Sequence, residues 1–321
     1  LSIALFGILR PGDLLLAISG KPYDTLDDMI HKSGIGSLKD FGIKYSQIDL
    51  RDDGFDCEKI TEAVSKERPR AVYIQRSKGY DRRTSLTVEA IQDIIKKVRA
   101  AGSGAVIMVD NCYGEFVETR EPTEVGADII AGSFIKNPGG GIAPSGGYIA
   151  GAAKLIDGIA GRLTVPGVGA EIGSFSGGYA SYYQGIFLAP HVVSQAVKGA
   201  YLAAAVFRLI GYRARPFIDE TLSDIVCSIE FKTSDELLSF CRSIQAFSPV
   251  DSHVTPLPWD MPGYAHQVIM AAGTFVQGAS IELSCDSPIK EPFTAYLQGG
   301  LTYEHIKLAL GYAIAELELA D

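Results

Sequence analysis

Apolar and polar positions along this chain follow two periods. Short apolar runs at 14–19, Ala71–Gln75, 105–109 and 127–131 have the length and β-branched content of buried strands. Residues 43–50 alternate between apolar and polar, as in a half-buried strand. Between these runs the spacing becomes helical, at 25–31 behind an Asp24 cap, at 58–66 and at Val88–Ala100. In the last of these, Val88, Ile91, Ile94, Ile95 and Val98 share one face. Residues 1–9 read as a helix terminated by Arg10-Pro11-Gly12-Asp13. Strands alternating with helices predict βαβ units around a mainly parallel sheet covered on both faces.

Residues 184–209 are rich in Ala and Val and nearly uncharged, which predicts one long buried helix. After a break at 211–216 the pattern changes to a strand at 225–231, a capped helix at 234–247, strands at 280–284 and Thr294–Gln298, and a closing helix at 304–319. The expected organisation is a large α/β domain over 1–212 and a smaller α+β domain over 213–321.

Composition narrows the class. The 321 residues are 47% hydrophobic and 21% charged, which excludes disordered and collagen-like chains. The net charge of −9 makes nucleic acid and anionic membrane unlikely matches for the surface as a whole. The five widely spaced cysteines contain no C-x-x-C pair and suit reduced thiols in the cytoplasm. No uninterrupted apolar run has the length of a membrane span, and the five histidines show no metal-ligand spacing. G-x-G-x-x-G, Walker, H-E-x-x-H and G-x-S-x-G motifs are absent.

Two segments carry chemistry. One is an apolar run that ends in Asp110, in Val-Asp-Asn-Cys-Tyr-Gly-Glu. The other ends in Ser133-Phe-Ile-Lys136 and a glycine run at 139–141. Ligands in open α/β sheets bind beyond the C-terminal strand ends, where both groups fall. A lysine there is costly unless it is paired or neutral, and a Schiff base with an aldehyde cofactor meets that need. An aspartate on a neighbouring strand would keep a pyridinium nitrogen protonated, which pyridoxal phosphate requires as an electron sink. Ser133 could donate to the cofactor's phosphate, and the glycines permit close backbone approach.

At these residues the sequence resembles the fold-type I pyridoxal phosphate enzymes, in their cysteine/methionine-metabolism branch. Within it the chain is similar to the group called aluminium resistance or methionine gamma-lyase-like proteins. The likeness is carried by Gly-Lys-Pro-Tyr23-Asp-Thr-Leu, Ile-Gln75-Arg76-Ser-Lys-Gly-Tyr, the Asp110 and Lys136 segments, Gln-Gly-Ile-Phe-Leu-Ala-Pro-His191, and Tyr-Leu-Gln-Gly-Gly-Leu-Thr-Tyr-Glu-His305.

The resemblance implies Lys136 as the Schiff-base lysine, Asp110 as the pyridinium partner and Tyr23 as the aromatic residue stacked on the cofactor. It sets Gln75 and Arg76 beside the same cleft, with either a ligand-binding role or a structural ion pair open for Arg76. Two departures matter. Ile135 fills a position where better-known lyases of the branch carry a threonine, and Lys290 stands where an arginine would recognise substrate carboxylate. The group's Ser-Gly-Thr-His-Ala phosphate turn has no counterpart in these residues. The expectation is therefore the ordered part of a longer protein, with the cofactor absent or poorly held.

The expected activity is carbon–sulfur cleavage of a small sulfur-containing amino acid by a homodimer or homotetramer. Transamination, racemisation or aldol cleavage would use the same lysine and aspartate. A metal-stress binding protein on a relic enzyme fold is the competing class.

Overall fold

The computed structural model describes residues 1–52, 54–80, 83–262 and 264–318. Its compact parts are two units. The first comprises Leu1–Cys112, Glu118–Gly132 and Gly147–Tyr179; the second comprises Tyr113–Val117, Ser133–Gly146 and Ala180–Asp321.

In the first unit the order is α1 (Ser2–Ile8), β1 (Leu14–Ala17), α2 (Asp24–His31), β2 (Lys44–Gln47), α3 (Cys57–Glu67), β3 (Ala71–Gln75), α4 (Val88–Ala100), β4 (Val106–Asp110), β5 (Ile129–Ser133), β6 (Gly147–Gly151) and α5 (Ala153–Ala160). The sheet order is β2-β1-β3-β4-β5-β6. β1 pairs in parallel with β2 and β3, β3 with β4, and β4 with β5.

Period-two burial explains its layers. Leu15, Ala17, Ala71, Tyr73, Met108, Ile129 and Ala131 face one apolar cluster with Leu5 of α1, Ile30 of α2 and Ile159 of α5. The intervening residues, Leu16, Val72, Ile74, Ile107, Val109 and Ile130, face another with Ile60 and Val64 of α3 and Ile91, Ile94, Ile95 and Val98 of α4. Every residue of β3 and β4 is buried, as expected of central parallel strands.

The second unit contains α6 (Ala180–Leu209), β7 (Arg213–Arg215), β8 (Val226–Glu230), α7 (Ser234–Ala246), β9 (Val268–Ala271), β10 (Ser284–Pro288), β11 (Thr294–Gln298) and α8 (Tyr303–Glu318). Its sheet, β7-β8-β11-β10-β9, is antiparallel at every junction. Ala200, Ala203, Ala204 and Phe207 of α6 bury against this sheet's residues, α7 and α8. By length and composition α6 could cross a bilayer, so the reading that no run has that reach is corrected. Its alanine face packs in this core, which makes it a core helix.

Several elements depart from the sequence reading. The units part company with the expected boundary at 212, because α6 and the Ser133–Gly146 segment belong with the C-terminal sheet. α2 is capped at Tyr23, not Asp24, whose carboxylate meets Lys21 at 3.2 Å. The strand expected at 280–284 lies four residues later, at β10. Its Ser-Cys-Asp-Ser-Pro sequence is polar yet wholly buried; both edges are paired, and Gln298 donates to Asp286 at 3.0 Å. Residue 319, the end expected for the last helix, lies outside the described residues.

Candidate active site

Asp110 is the last residue of β4, 3% exposed at the C-terminal edge of the parallel sheet. One carboxylate oxygen accepts from the Cys112 backbone N–H at 3.2 Å, and the other from the Tyr73 hydroxyl at 3.3 Å. Tyr73 comes from β3 and is itself 1% exposed. Burial pushes its phenol well above the usual value, and the charge of Asp110 and the neighbouring Tyr23 and Cys112 add to that. The phenol therefore stays a neutral donor, which suits a hydrogen bond to a carboxylate. Sequence reasoning missed Tyr73, whose signal is only its place in a strand beside an acid.

At the end of β3, Gln75 is engaged along its whole side chain. Its backbone N–H donates to the Ser19 hydroxyl at 2.7 Å. Its side-chain oxygen accepts from the Tyr23 backbone N–H at 2.9 Å, and its amide donates to the Ser77 carbonyl at 3.2 Å. Gln75 thus fixes the start of α2, where the Tyr23 ring remains 38% exposed. An exposed ring on a pinned backbone can stack on a planar ligand.

Arg76 resolves the choice that its sequence left open. The side chain is 0% exposed and ion-pairs with Glu118 at 2.7 Å and Glu121 at 3.4 Å, and it donates to Asn111 at 2.8 Å. Glu118 also receives the Val88 N–H at the start of α4. Of the two readings, these contacts favour the structural ion pair over substrate binding: burial and two carboxylates engage both terminal nitrogens, while the buried Nε has no hydrogen-bond partner.

In the second unit, Ser133 ends β5 and Lys136 follows in a turn closed by its own N–H to the Ser133 carbonyl at 3.2 Å. The Ser133 hydroxyl donates to the Gly146 carbonyl at 3.4 Å. The Lys136 ammonium lies 4.4 Å from the centroid of the Tyr113 ring. Asn137, fully buried, donates to the Tyr113 and Glu115 carbonyls at 3.0 and 2.9 Å.

The glycine run serves packing. A Cβ on Gly139 would lie 1.7 Å from the Phe134 carbonyl oxygen, and one on Gly140 would lie 2.6 Å from the Gly185 carbonyl of α6. These glycines admit a helix, whereas the sequence reading had them admit a ligand.

Lys290 sits exposed in the turn between β10 and β11, with its backbone N–H on the Pro288 carbonyl at 3.0 Å. All five cysteines are free thiols. Among the described residues no group of three or more His, Cys, Asp or Glu side chains could hold a metal ion.

Taken unit by unit, the groups are of the kinds pyridoxal phosphate uses: a buried carboxylate at a parallel strand end and an exposed tyrosine ring in the first unit, a primary amine and a strand-end hydroxyl in the second. The carboxylate is held by donors alone, which leaves its charge for a cationic ring nitrogen. In the sheet register Asp110 pairs with Ala131, two residues before Ser133.

Comparisons with known proteins bear on the family and the fold. The family model described as "Methionine gamma-lyase" matches residues 1–318. The Bacillus subtilis protein YnbB is 50% identical over 321 residues, covering 99% of this chain and 76% of its own. A Clostridium acetobutylicum crystal structure, described as a putative cystathionine beta-lyase involved in aluminum resistance, is 49% identical with a TM-score of 0.94. It covers 98% of this chain and 75% of that one. A Campylobacter jejuni putative O-acetylhomoserine (thiol)-lyase containing pyridoxyl-lysine phosphate is 17% identical. Its TM-score is 0.66 over 98% of this chain and 78% of its own, which bears on the fold alone. The fold is that of the fold-type I pyridoxal phosphate enzymes, and with a family match from its first residue to residue 318 the chain belongs to the methionine gamma-lyase family.

Proposed function

We propose that the protein is a pyridoxal phosphate-dependent carbon–sulfur lyase acting on a sulfur-containing amino acid of the cystathionine, methionine or cysteine type. The observation that carries this reading is the Lys136 amine, presented after β5 in a family whose members use that chemistry. The names of the most similar structures, lyases linked to aluminum resistance, support the same class.

When bound, pyridoxal phosphate supplies the electron sink that makes an amino acid's α-proton acidic. The chain's residues do the rest. Lys136 would hold the cofactor through its amine and would hold and move the substrate's α-proton. Asp110, oriented by Tyr73 and the Cys112 N–H, would supply the anion that keeps the ring nitrogen protonated. Ser133 offers its hydroxyl to the phosphate, and Tyr23 its ring face. Lys290 supplies a point charge for the substrate carboxylate, with weaker geometric selection than an arginine fork.

The experiment is a panel of cystathionine, methionine, homocysteine and cysteine, assayed for thiol together with pyruvate or 2-oxobutyrate. Release of thiol and keto acid in step, lost in Lys136→Ala, supports the reading. Formation of a keto acid that retains the substrate's sulfur, with no C–S cleavage, overturns it in favour of transamination.

The assembly belongs to the same reading. Tyr183 and Phe187, one turn apart on α6, are 73% and 82% exposed, an apolar pair suited to a second copy of the chain. We propose a cytoplasmic homo-oligomer, and a monomer in sedimentation at micromolar concentration would overturn that.

A further inference from the structure

The loop that carries Lys136 also fixes the ring against which its ammonium rests. Asn137, the next residue, is 0% exposed, and its amide holds the carbonyls of Tyr113 and Glu115. Between those contacts Tyr113 adopts φ +69°, a left-handed conformation uncommon for a non-glycine residue. Such an outlier persists only where its surroundings over-determine it. Here they do. The amide clamp fixes the backbone, and the Tyr113 side chain packs against the cluster formed by Val192, Val193 and Ala196 of α6 with Ile225 and Ile281. The result is a ring face 4.4 Å from the Lys136 nitrogen.

We propose that Tyr113 is a positioning residue for Lys136, its ring face being the resting site of the ammonium whenever that nitrogen is not bonded to the cofactor. This rests on the reading of Lys136 as the cofactor-binding lysine. A ring face attracts the charged nitrogen through its quadrupole and loses that attraction when the nitrogen becomes neutral or bonded. A carboxylate at the same place would hold the cation far more tightly and could itself take up a proton. The ring face is a weaker contact than that, which suits a nitrogen that must leave and return. Asn137 keeps amine and ring in register, because neither residue of the turn can shift without breaking its two hydrogen bonds.

The test isolates the ring's electrostatics from its shape. In the full chain, Tyr113→Phe is compared with the same position carrying phenylalanine of increasing ring fluorination, which preserves the shape while removing the negative face. The probe is pyridoxal phosphate, titrated at fixed pH while the visible Schiff-base band is followed. Because the ring stabilises the free ammonium, its fluorination should favour the bonded state. The concentration for half-saturation should then fall stepwise, by about 3- to 30-fold across the series. A purely structural tyrosine would give no trend, or weaker binding. A flat or rising series overturns the role of Tyr113. Borohydride trapping on the wild-type chain, read by peptide mass, separates the two claims: label absent from Lys136 overturns the cofactor reading itself. Label on Lys136 with a flat series overturns only the role of the ring.

Discussion

Two cations follow buried strands in this chain, and their surroundings assign them opposite work. After β3, Arg76 is 0% exposed and clasped by Glu118, Glu121 and Asn111. After β5, Lys136 rests on the face of a tyrosine ring. Full ion pairing makes a charge inexpensive to keep and difficult to use, so Arg76 joins the strand end to α4 and the segment carrying the two glutamates. A ring face holds a charge more weakly than two carboxylates do, and Lys136 has that contact where Arg76 has its glutamates. Polar residues at strand ends are not equivalent, and the partner decides which is machinery and which is scaffold.

The sharpest way to break this comparison is Lys136→Ala. It should abolish the visible Schiff-base band and lower any lyase rate by about 1,000-fold or more. Its melting temperature should stay close to that of the wild-type chain without cofactor. A large loss of stability would place Lys136 on the structural side.

Arg76→Ala should do the reverse. It leaves Glu118 and Glu121 with no guanidinium, and because these are 20% and 27% exposed we expect a loss of about 3 kcal/mol in urea unfolding. The fraction that remains folded should still form the Schiff-base band. Loss of the band at full stability would return Arg76 to ligand binding.

Tyr73→Phe sharpens the picture at the carboxylate. Removing a hydroxyl that donates to Asp110 should cost about 1 kcal/mol of stability and weaken pyridoxal phosphate binding. The sign of the pH effect follows from burial. The folded phenol has a raised pKa, so its contribution is fully present below about pH 10, the unfolded value, and is lost as pH climbs through the folded one. Unfolding measured between neutral pH and strongly alkaline solution should show a shallower alkaline decline for Tyr73→Phe than for the wild-type chain.

The smallest effect belongs to Lys290→Ala. The side chain is exposed in a turn, so stability should change by less than about 0.5 kcal/mol. KM should rise by about 3- to 10-fold with kcat unchanged, as when uniform binding is lost. An unchanged KM would remove Lys290 from the site.

Elements whose chemistry is local and periodic were legible in the sequence. Ala71–Gln75, Val88–Ala100 and Thr294–Gln298 were read at their observed boundaries, and β4 and β5 within two residues at either end. Elements with no apolar period escaped. β6 is half-exposed and begins and ends in glycine. β10 is polar, and its burial depends on two partner strands. α6 belongs with the C-terminal sheet because its alanine face packs against that sheet and its helices, a fact about packing that no linear boundary signal carries.

By itself, the sequence determined the alternation that builds a parallel sheet, the strand-end positions of Asp110 and Lys136, and the motifs that place the chain in its family. These depend on residue type and on neighbours a few positions away. Only the tertiary structure decided what each polar group meets. It set Arg76 against carboxylates 42 and 45 residues on, Tyr73 against Asp110, Asn137 against the Tyr113 carbonyl, and the glycines at 139–141 against α6 and Leu301. Such pairings cross tens of residues, and their energies depend on burial and orientation. Both quantities exist only once the chain has closed on itself.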